Sequence, residues 1–68
     1  MRNSGKLVRT KNNEVGRTFD SKGLINGKVA VYLATVFKKQ DDFEFPTEYS
    51  DNAILCEPST LKVFGYLD

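Results

Sequence analysis

The sequence of 68 residues contains no histidine, no tryptophan and a single cysteine. Without histidine, the chain lacks the side chain that proteins use most often as a general base at neutral pH and as a metal ligand. Cys56 alone cannot form an internal disulfide, and no histidine is present to activate its thiol as a nucleophile. We therefore expect a protein that is not an enzyme and binds no metal or other cofactor. Cys56 is expected to be an unreactive residue of the core.

Long apolar runs are also missing. The longest is Val29–Phe37, interrupted by Thr35, which is far shorter than the roughly 20 residues of a membrane-spanning helix. The first residues lack the apolar segment of a secretory signal, and one unpaired cysteine fits a reducing compartment. The sequence therefore predicts a cytoplasmic protein without a membrane partner.

Charge is balanced overall but divided along the chain. The net charge is +1, yet residues 1–39 carry nine basic and two acidic residues, and residues 40–68 carry one basic and seven acidic residues. Oppositely charged strands could pair and neutralise each other across a sheet. Alternatively, the protein has a basic face and an acidic face, each of which steers a partner. Self-association is a further expectation, because the halves attract and so short a chain has a small core.

Length and composition predict one small globular domain. A chain of this size buries only about 60% of the surface that it exposes when unfolded. Its 40% hydrophobic and 28% charged residues are nevertheless typical of a folded domain. No repeat or linker divides the chain. We expect a flexible N-terminus over residues 1–5 and a single domain over residues 6–68.

Short runs rich in β-branched and aromatic residues alternate with turn signals, which is typical of an all-β protein. Two turns are marked by asparagine, at Lys11–Asn13 and at Asn26-Gly27. A single tight helical turn is expected at Pro58–Leu61, because proline pre-sets the backbone for it. The predicted strands are Lys6–Thr10, Glu14–Phe19, Lys28–Phe37, Ala53–Glu57 and Lys62–Leu67.

Five short strands with one 3-10 turn before the last strand predict an SH3-like β-barrel. Both faces of Lys28–Phe37 are largely apolar, so this strand is expected to be central and covered on both sides. The predicted core consists of Leu7, Val29, Val31, Leu33, Ile54, Leu55, Leu61 and Val63.

Two segments carry a family resemblance. Leu55–Asp68 resembles the ending of short bacterial and phage-borne proteins with SH3-like barrels, and Gly27–Val31 resembles part of their central strand. The resemblance implies the barrel fold and no particular activity. KOW-type barrels of the translation apparatus share the outline and the basic first half, but their glycine-centred motif has no counterpart here, so nucleic-acid binding is not carried over.

The segment 38–52 is polar, contains Pro46 and is predicted to be a long acidic and aromatic loop. Long loops in compact domains are often functional. Aromatic anchors would supply affinity for a protein partner, and acids would select one with a basic surface. The alternative is an extra strand that places Phe43 and Phe45 on one face and caps the barrel. The candidate partner-binding residues are Asp41, Asp42, Phe43, Glu44, Phe45 and Tyr49.

Nucleic-acid binding is the competing hypothesis. A basic face with Phe19 or Tyr32 available for base stacking is the arrangement that small barrels use to bind single strands. The sequence pI of 7.8 is lower than the value above about 9 that is typical of nucleic-acid-binding domains. The leading hypothesis is therefore a non-catalytic protein-interaction module. The candidate nucleic-acid-binding residues are Lys6, Arg9, Lys11, Arg17 and Lys28.

Overall fold

The computed structural model describes residues 4–67, which form seven β-strands and two 3-10 turns and contain no α-helix. No helix in this part of the chain has the length and hydropathy that a membrane crossing requires. The predictions of an all-β fold and of a 3-10 turn before the last strand are confirmed. The strands are β1 (Gly5–Arg9), β2 (Val15–Arg17), β3 (Leu24–Ile25), β4 (Lys28–Gln40), β5 (Phe43–Tyr49), β6 (Ile54–Cys56) and β7 (Lys62–Leu67), and the 3-10 turns are Asp20–Lys22 and Pro58–Thr60.

All strands belong to one antiparallel sheet that curls into a half-barrel. Its main path runs β3-β4-β2-β1-β7, and β5 and β6 both pair with β4. Val29 of β4 pairs with Leu24 of β3 and also with Cys56 of β6, so β3 and β6 lie on opposite edges of β4. The sheet has seven strands where the sequence predicted five, because β3 was not predicted and β5 was predicted only as the alternative to a loop.

Local backbone chemistry forms the two predicted turns. Asn13 has a φ of 65° in the β1–β2 turn, and Asn26 and Gly27 have φ of 54° and 77° between β3 and β4. Asparagine and glycine tolerate this left-handed region better than other residues. The buried Thr10 hydroxyl also accepts hydrogen bonds from the backbone N–H groups of Asn12 and Glu14. Both turns are therefore confirmed.

Strand β4 is longer than predicted, and a smaller part of it than predicted is buried on both faces. It continues to Gln40, with register irregularities between Ala34 and Phe37 where it turns to pair with β5. Ala30 and Val31, on opposite faces, are both buried, whereas every residue from Thr35 onward is exposed. The expectation of a strand covered on both sides is therefore correct only near its beginning.

The buried apolar core among the described residues consists of Val8, Ala30 and Val31. Val31 was predicted, but β1 buries Val8 and leaves Leu7 half-buried. Three predicted core residues are wrong, because they lie on strands that only one neighbour flanks and are more than 40% exposed: Ile54, Leu55 and Val63. The remaining predicted core residues are half-buried: Val29, Leu33 and Leu61.

Strand β1 begins one residue earlier than predicted. Residues 1–3 of the expected flexible N-terminus lie outside the described residues. Gly5, however, is buried and begins β1, and the backbone N–H of Asp20 donates to the carbonyl of Ser4. A Cβ on Gly5 would collide with the carbonyl of Thr18, so only glycine fits here. Gly5 therefore belongs to the sheet.

Candidate functional site

The predicted loop at 38–52 is mostly a strand. Gln40 pairs with Phe43 and Lys38 pairs with Phe45, so the end of β4 and β5 form a hairpin, called here the arm (residues 35–48). Its turn is Asp41-Asp42, in which Asp41 has a φ of 56°. The extra-strand alternative is thus correct for residues 43–49.

Phe43 and Phe45 form a stacked pair on the arm. Their ring centroids lie 5.9 Å apart with an interplanar angle of 29°. The side chain of Phe43 is 68% exposed, and Phe45 is half-buried. Their cross-strand neighbours on β4, Gln40 and Lys38, are exposed. The pair therefore stacks on the projecting arm and does not cap the buried core residues.

Charges of both signs surround this pair. Asp41 and Asp42 form the exposed turn, and Glu44 lies in register with Lys39. The salt bridges recorded within residues 4–67, Lys6–Asp20 at 3.4 Å and Lys28–Glu57 at 3.8 Å, lie outside the arm. The second of them joins the basic and acidic halves of the sequence, between Lys28 of β4 and Glu57, the residue that follows β6.

An open groove of about 430 Å³ lies between the arm and the strands β1 and β2. Phe37 and Pro46 line it from the arm, and Phe64 lines it from β7. Its charged residues are Arg9, Glu14 and Glu44. Its apolar floor consists of Val15, Leu33 and Ala34. Phe37 was not among the candidate residues, although the apolar run from Val29 ends on it.

At the base of the arm, two cationic side chains contact three aromatic rings. The guanidinium carbon of Arg17 lies 3.9 Å from the ring centroid of Phe19 and 5.7 Å from that of Tyr49. The ring of Phe19 meets Tyr32 edge-on at 5.2 Å, and the Lys22 ammonium lies 5.9 Å from the Tyr32 ring. Cation–π contacts of this kind contribute about 0.5–1 kcal/mol at exposed sites. Arg17 therefore ties β2 to β5 across β4.

Tyr49 belongs to this cluster and not to the tip of the arm. Burial raises the pKa of its phenol, and the positive charge of Arg17 opposes that rise. Of the six candidate partner-binding residues, the structure thus brings four together at the tip, Asp41, Asp42, Phe43 and Phe45. It places Glu44 beside the groove and Tyr49 at the base of the arm.

The candidate nucleic-acid-binding residues lie on β1, β2, β4 and the β1–β2 turn. Arg9 lies over the ring of Phe64 at 5.6 Å and donates to the backbone and side-chain oxygens of Asn13. Lys6 and Lys28 are in ion pairs, and Lys11 and Lys28 line a separate depression beside Cys56. Phe19 and Tyr32, expected to stack on bases, are already contacted by Arg17 and Lys22. Lys6, Arg9 and Lys28 therefore already have partners within the fold.

Cys56 is half-buried on β6 and does not belong to the buried core. Burial raises the pKa of its thiol, the positive charge of Lys11 opposes this, and the negative charge of Glu14 adds to it. A raised pKa lowers the fraction of reactive thiolate at neutral pH.

No family model, curated protein sequence or solved structure matches the chain. Among the described residues, the arm combines the most exposed stacked aromatic pair with a charged turn. No sequence pattern indicates that Arg17 joins β2 to β5, because its ring partner on β5, Tyr49, lies 32 positions further along the chain.

Proposed function

We propose that the chain is a non-catalytic protein-interaction module that contacts its partner with the tip of the arm. The observation that carries this proposal is the stacked pair of Phe43 and Phe45 on a projecting hairpin, with Phe43 68% exposed. Rigid aromatic side chains lose little conformational entropy on binding and are enriched among the residues that dominate interface energies.

The energetics favour Phe43 as the principal anchor. Burying an exposed aromatic side chain of this size contributes on the order of 2–3 kcal/mol, before the entropic costs of association. Phe45 supports Phe43 from one side, so the outer ring is already ordered before binding. A pre-ordered anchor loses less entropy in the complex than a flexible side chain.

The charges at the turn define the kind of partner. Asp41 and Asp42 lie at the furthest point of the hairpin, next to the aromatic pair. They would steer the arm toward a basic surface and disfavour acidic ones. Lys38 and Lys39 lie on the adjoining strand, where Lys39 is opposite Glu44, so the turn is the part of the arm that carries only acidic charge. The association rate is expected to fall with added salt, because exposed charges are screened.

We also propose that the sheet is a variant of the SH3-like barrel. Strands β5 and β6 follow the same edge of β4 and together take the place of one interrupted strand. Strand β3 has only two residues and returns directly into β4. If β3 is counted with β4, and β5 with β6, the sheet has five strands: β1, β2, β3–β4, β5–β6 and β7. The 3-10 turn Pro58–Thr60 precedes the last of them, which is the arrangement of the predicted barrel.

The experiment compares capture of proteins from the source cells by the native chain and by a Phe43→Ser/Phe45→Ser variant. The matched control is Leu24→Ser/Ile25→Ser, which removes two exposed apolar side chains from the opposite end of β4. Circular dichroism verifies that each variant is folded. We expect the control to retain the partner and the arm variant to lose it, with at least a tenfold weaker Kd when the purified partner is titrated.

A folded arm variant that retains every partner of the native chain would overturn the proposal. The competing nucleic-acid hypothesis is tested by fluorescence anisotropy with labelled single-stranded DNA, duplex DNA and RNA at low and moderate salt. Saturable, salt-dependent binding that an Arg9→Gln/Lys11→Gln variant loses would favour that hypothesis over the arm.

A further inference from the structure

The two faces of the arm carry different side chains. Gln40 pairs with Phe43 and Lys38 pairs with Phe45, and successive side chains of a strand point to opposite faces of the sheet. The stacked rings therefore share one face with Gln40 and Lys38, whereas Glu44, between the two rings in sequence, lines the groove on the other face. The first of these is called here the aromatic face (Lys38, Gln40, Phe43 and Phe45).

Charge changes sign along the aromatic face. Asp41 and Asp42 form the turn at its outer end, and Lys38 lies nearer to the base of the arm. All three residues are exposed, and the salt bridges within residues 4–67 involve none of them. The face therefore presents unpaired acidic charge at one end and unpaired basic charge at the other, on either side of an exposed aromatic pair. Such a surface is complementary to a copy of itself that is turned end to end.

We propose that the aromatic face binds the aromatic face of a second copy of the chain, with the two arms antiparallel. A two-fold axis level with Lys39 places Phe43 of each copy over Phe45 of the other. A two-fold interface uses the same surface patch on both copies, so every contact occurs twice. The inference rests on the proposed function, because the arm is the contacting surface in both, and it names a second copy as the partner.

The charges select the antiparallel orientation. In this arrangement the turn of each copy lies about one residue, or roughly 3.3 Å along the strand, beyond Lys38 of the other copy. Facing sheets pack about 10 Å apart, a gap that an extended lysine side chain and the carboxylate of Asp41 or Asp42 bridge together. Arms packed in the same direction would instead bring the carboxylates of the two turns together, and such a meeting of like charges is unfavourable.

The contact between the arms is small, so the dimer is expected to be weak. A standard interface uses about 20–30 residues on each side, which is more than the whole arm contains. The rings supply the apolar area, and aromatic pairs add to it because they favour offset and edge-to-face packing. The charged contacts at the rim are exposed to water and screened by salt. We therefore expect a dimer that dissociates on dilution and weakens with added salt.

Sedimentation equilibrium of the full chain over a range of concentrations tests the inference. We expect a mass that rises toward twice the 7.7 kDa of the chain and returns to that of the monomer on dilution. The variant Phe43→Ser/Phe45→Ser is expected to weaken the dimer at least tenfold. The control Leu24→Ser/Ile25→Ser, which removes two exposed apolar side chains from the opposite end of β4, is expected to associate like the native chain.

An exchange of charges tests the orientation of the arms. Asp41→Asn/Asp42→Lys makes the turn positive and keeps at position 41 a side chain that tolerates the positive φ, and Lys38→Glu makes the strand negative. Each variant alone sets like charges against each other, so its dimer is expected to be at least tenfold weaker. An equal mixture of the two is expected to recover association, because each turn again meets the opposite charge. Lys39→Gln, on the other face of the arm, is expected to leave the dimer unchanged.

Three results would overturn the inference, provided that circular dichroism shows each variant to be folded. One is a native chain that stays monomeric at the highest soluble concentration. The second is a Phe43→Ser/Phe45→Ser variant that dimerises like the native chain, and the third is a mixture of the charge variants that stays monomeric. A monomeric native chain whose arm variant still loses a protein captured from the source cells refutes a second copy as the partner and leaves the proposed function intact.

Discussion

A Cβ atom on Gly16 would lie 2.6 Å from Cγ1 of Val31. The same atom would lie 2.9 Å from the carbonyl oxygen of Tyr32, so β2 and β4 approach each other too closely for any side chain at this position. Val31 is fully buried. This contact therefore sets the spacing of the two strands that Arg17 then joins to the base of the arm.

Replacing Gly16 with alanine is expected to destabilise the fold. Inserting a methyl group into a packed site commonly costs about 1–3 kcal/mol, and the backbone of Tyr32 cannot move away as a flexible side chain would. Urea denaturation measures the change. The control is Gly65→Ala, whose Cβ would meet the flexible end of Leu7 at 3.1 Å and should cost less. Equal losses in the two variants would contradict the account of this contact.

The stability lost when an apolar residue is truncated should depend on its observed burial and not on whether the sequence placed it in the core. Val31→Ala removes part of a fully buried side chain and is expected to cost about 2 kcal/mol or more. Leu55 is 46% exposed, so Leu55→Ala should cost less than about 1 kcal/mol. Thermal melts of both variants check this order. A Leu55→Ala variant less stable than Val31→Ala would show that β6 is covered in solution.

The stability of the domain should fall in alkaline solution, partly through Tyr49. Burial raises the pKa of its phenol in the folded state above the ordinary value of 10.0. The phenol is thus harder to ionise in the folded than in the unfolded chain. Its contribution is complete below pH 10 and is lost as the pH rises through the folded-state pKa.

Tyr49→Phe removes this titration. As the pH rises above 9, the free energy of unfolding of the variant should therefore fall less than that of the native chain. Arg17→Met should raise the pKa of Tyr49 further, because the guanidinium favours the phenolate. Absorbance titration of the phenolate, with Tyr49→Phe to assign the signal, measures this. A lower pKa of Tyr49 in Arg17→Met would contradict the arrangement of the cluster.

Cys56 should react slowly with a thiol reagent in the folded protein. Burial raises the pKa of its thiol, and Lys11 opposes this rise. Labelling at neutral pH should therefore be slower in the native chain than in the urea-unfolded chain. Lys11→Gln should slow native labelling further, and Glu14→Gln should speed it. Native labelling as fast as that of the unfolded chain would contradict the observed burial.

Elements with strong local signals could be predicted from the sequence. Asn26-Gly27 and Pro58 specify their turns through their own backbone preferences, and both turns are found where expected. Strand β5 was ambiguous because its turn, Asp41-Asp42, contains no glycine and Pro46 interrupts the strand. Proline is tolerated there because β5 is an edge strand, where a missing N–H breaks no ladder.

Which residues are buried could not be predicted from the local sequence. The choice between Leu7 and Val8 depends on which way the β1–β2 hairpin curls, and that is set by contacts with β4 and β7. The exposure of Leu55 and Val63 follows from a sheet that remains open, which strand periodicity does not reveal. The aromatic residues of the arm were identified by composition, but their stacking required the hairpin.

The central claim is that the tip of the arm touches the partner, and site-specific photocrosslinking tests it most directly. A benzophenone side chain replaces Phe43 in one variant and Leu24 in another; these residues are similarly exposed at opposite ends of β4. After irradiation in the source cells, we expect a discrete protein adduct from position 43 and none from position 24. No adduct from position 43, or the same adduct from both positions, would contradict an interaction through the arm.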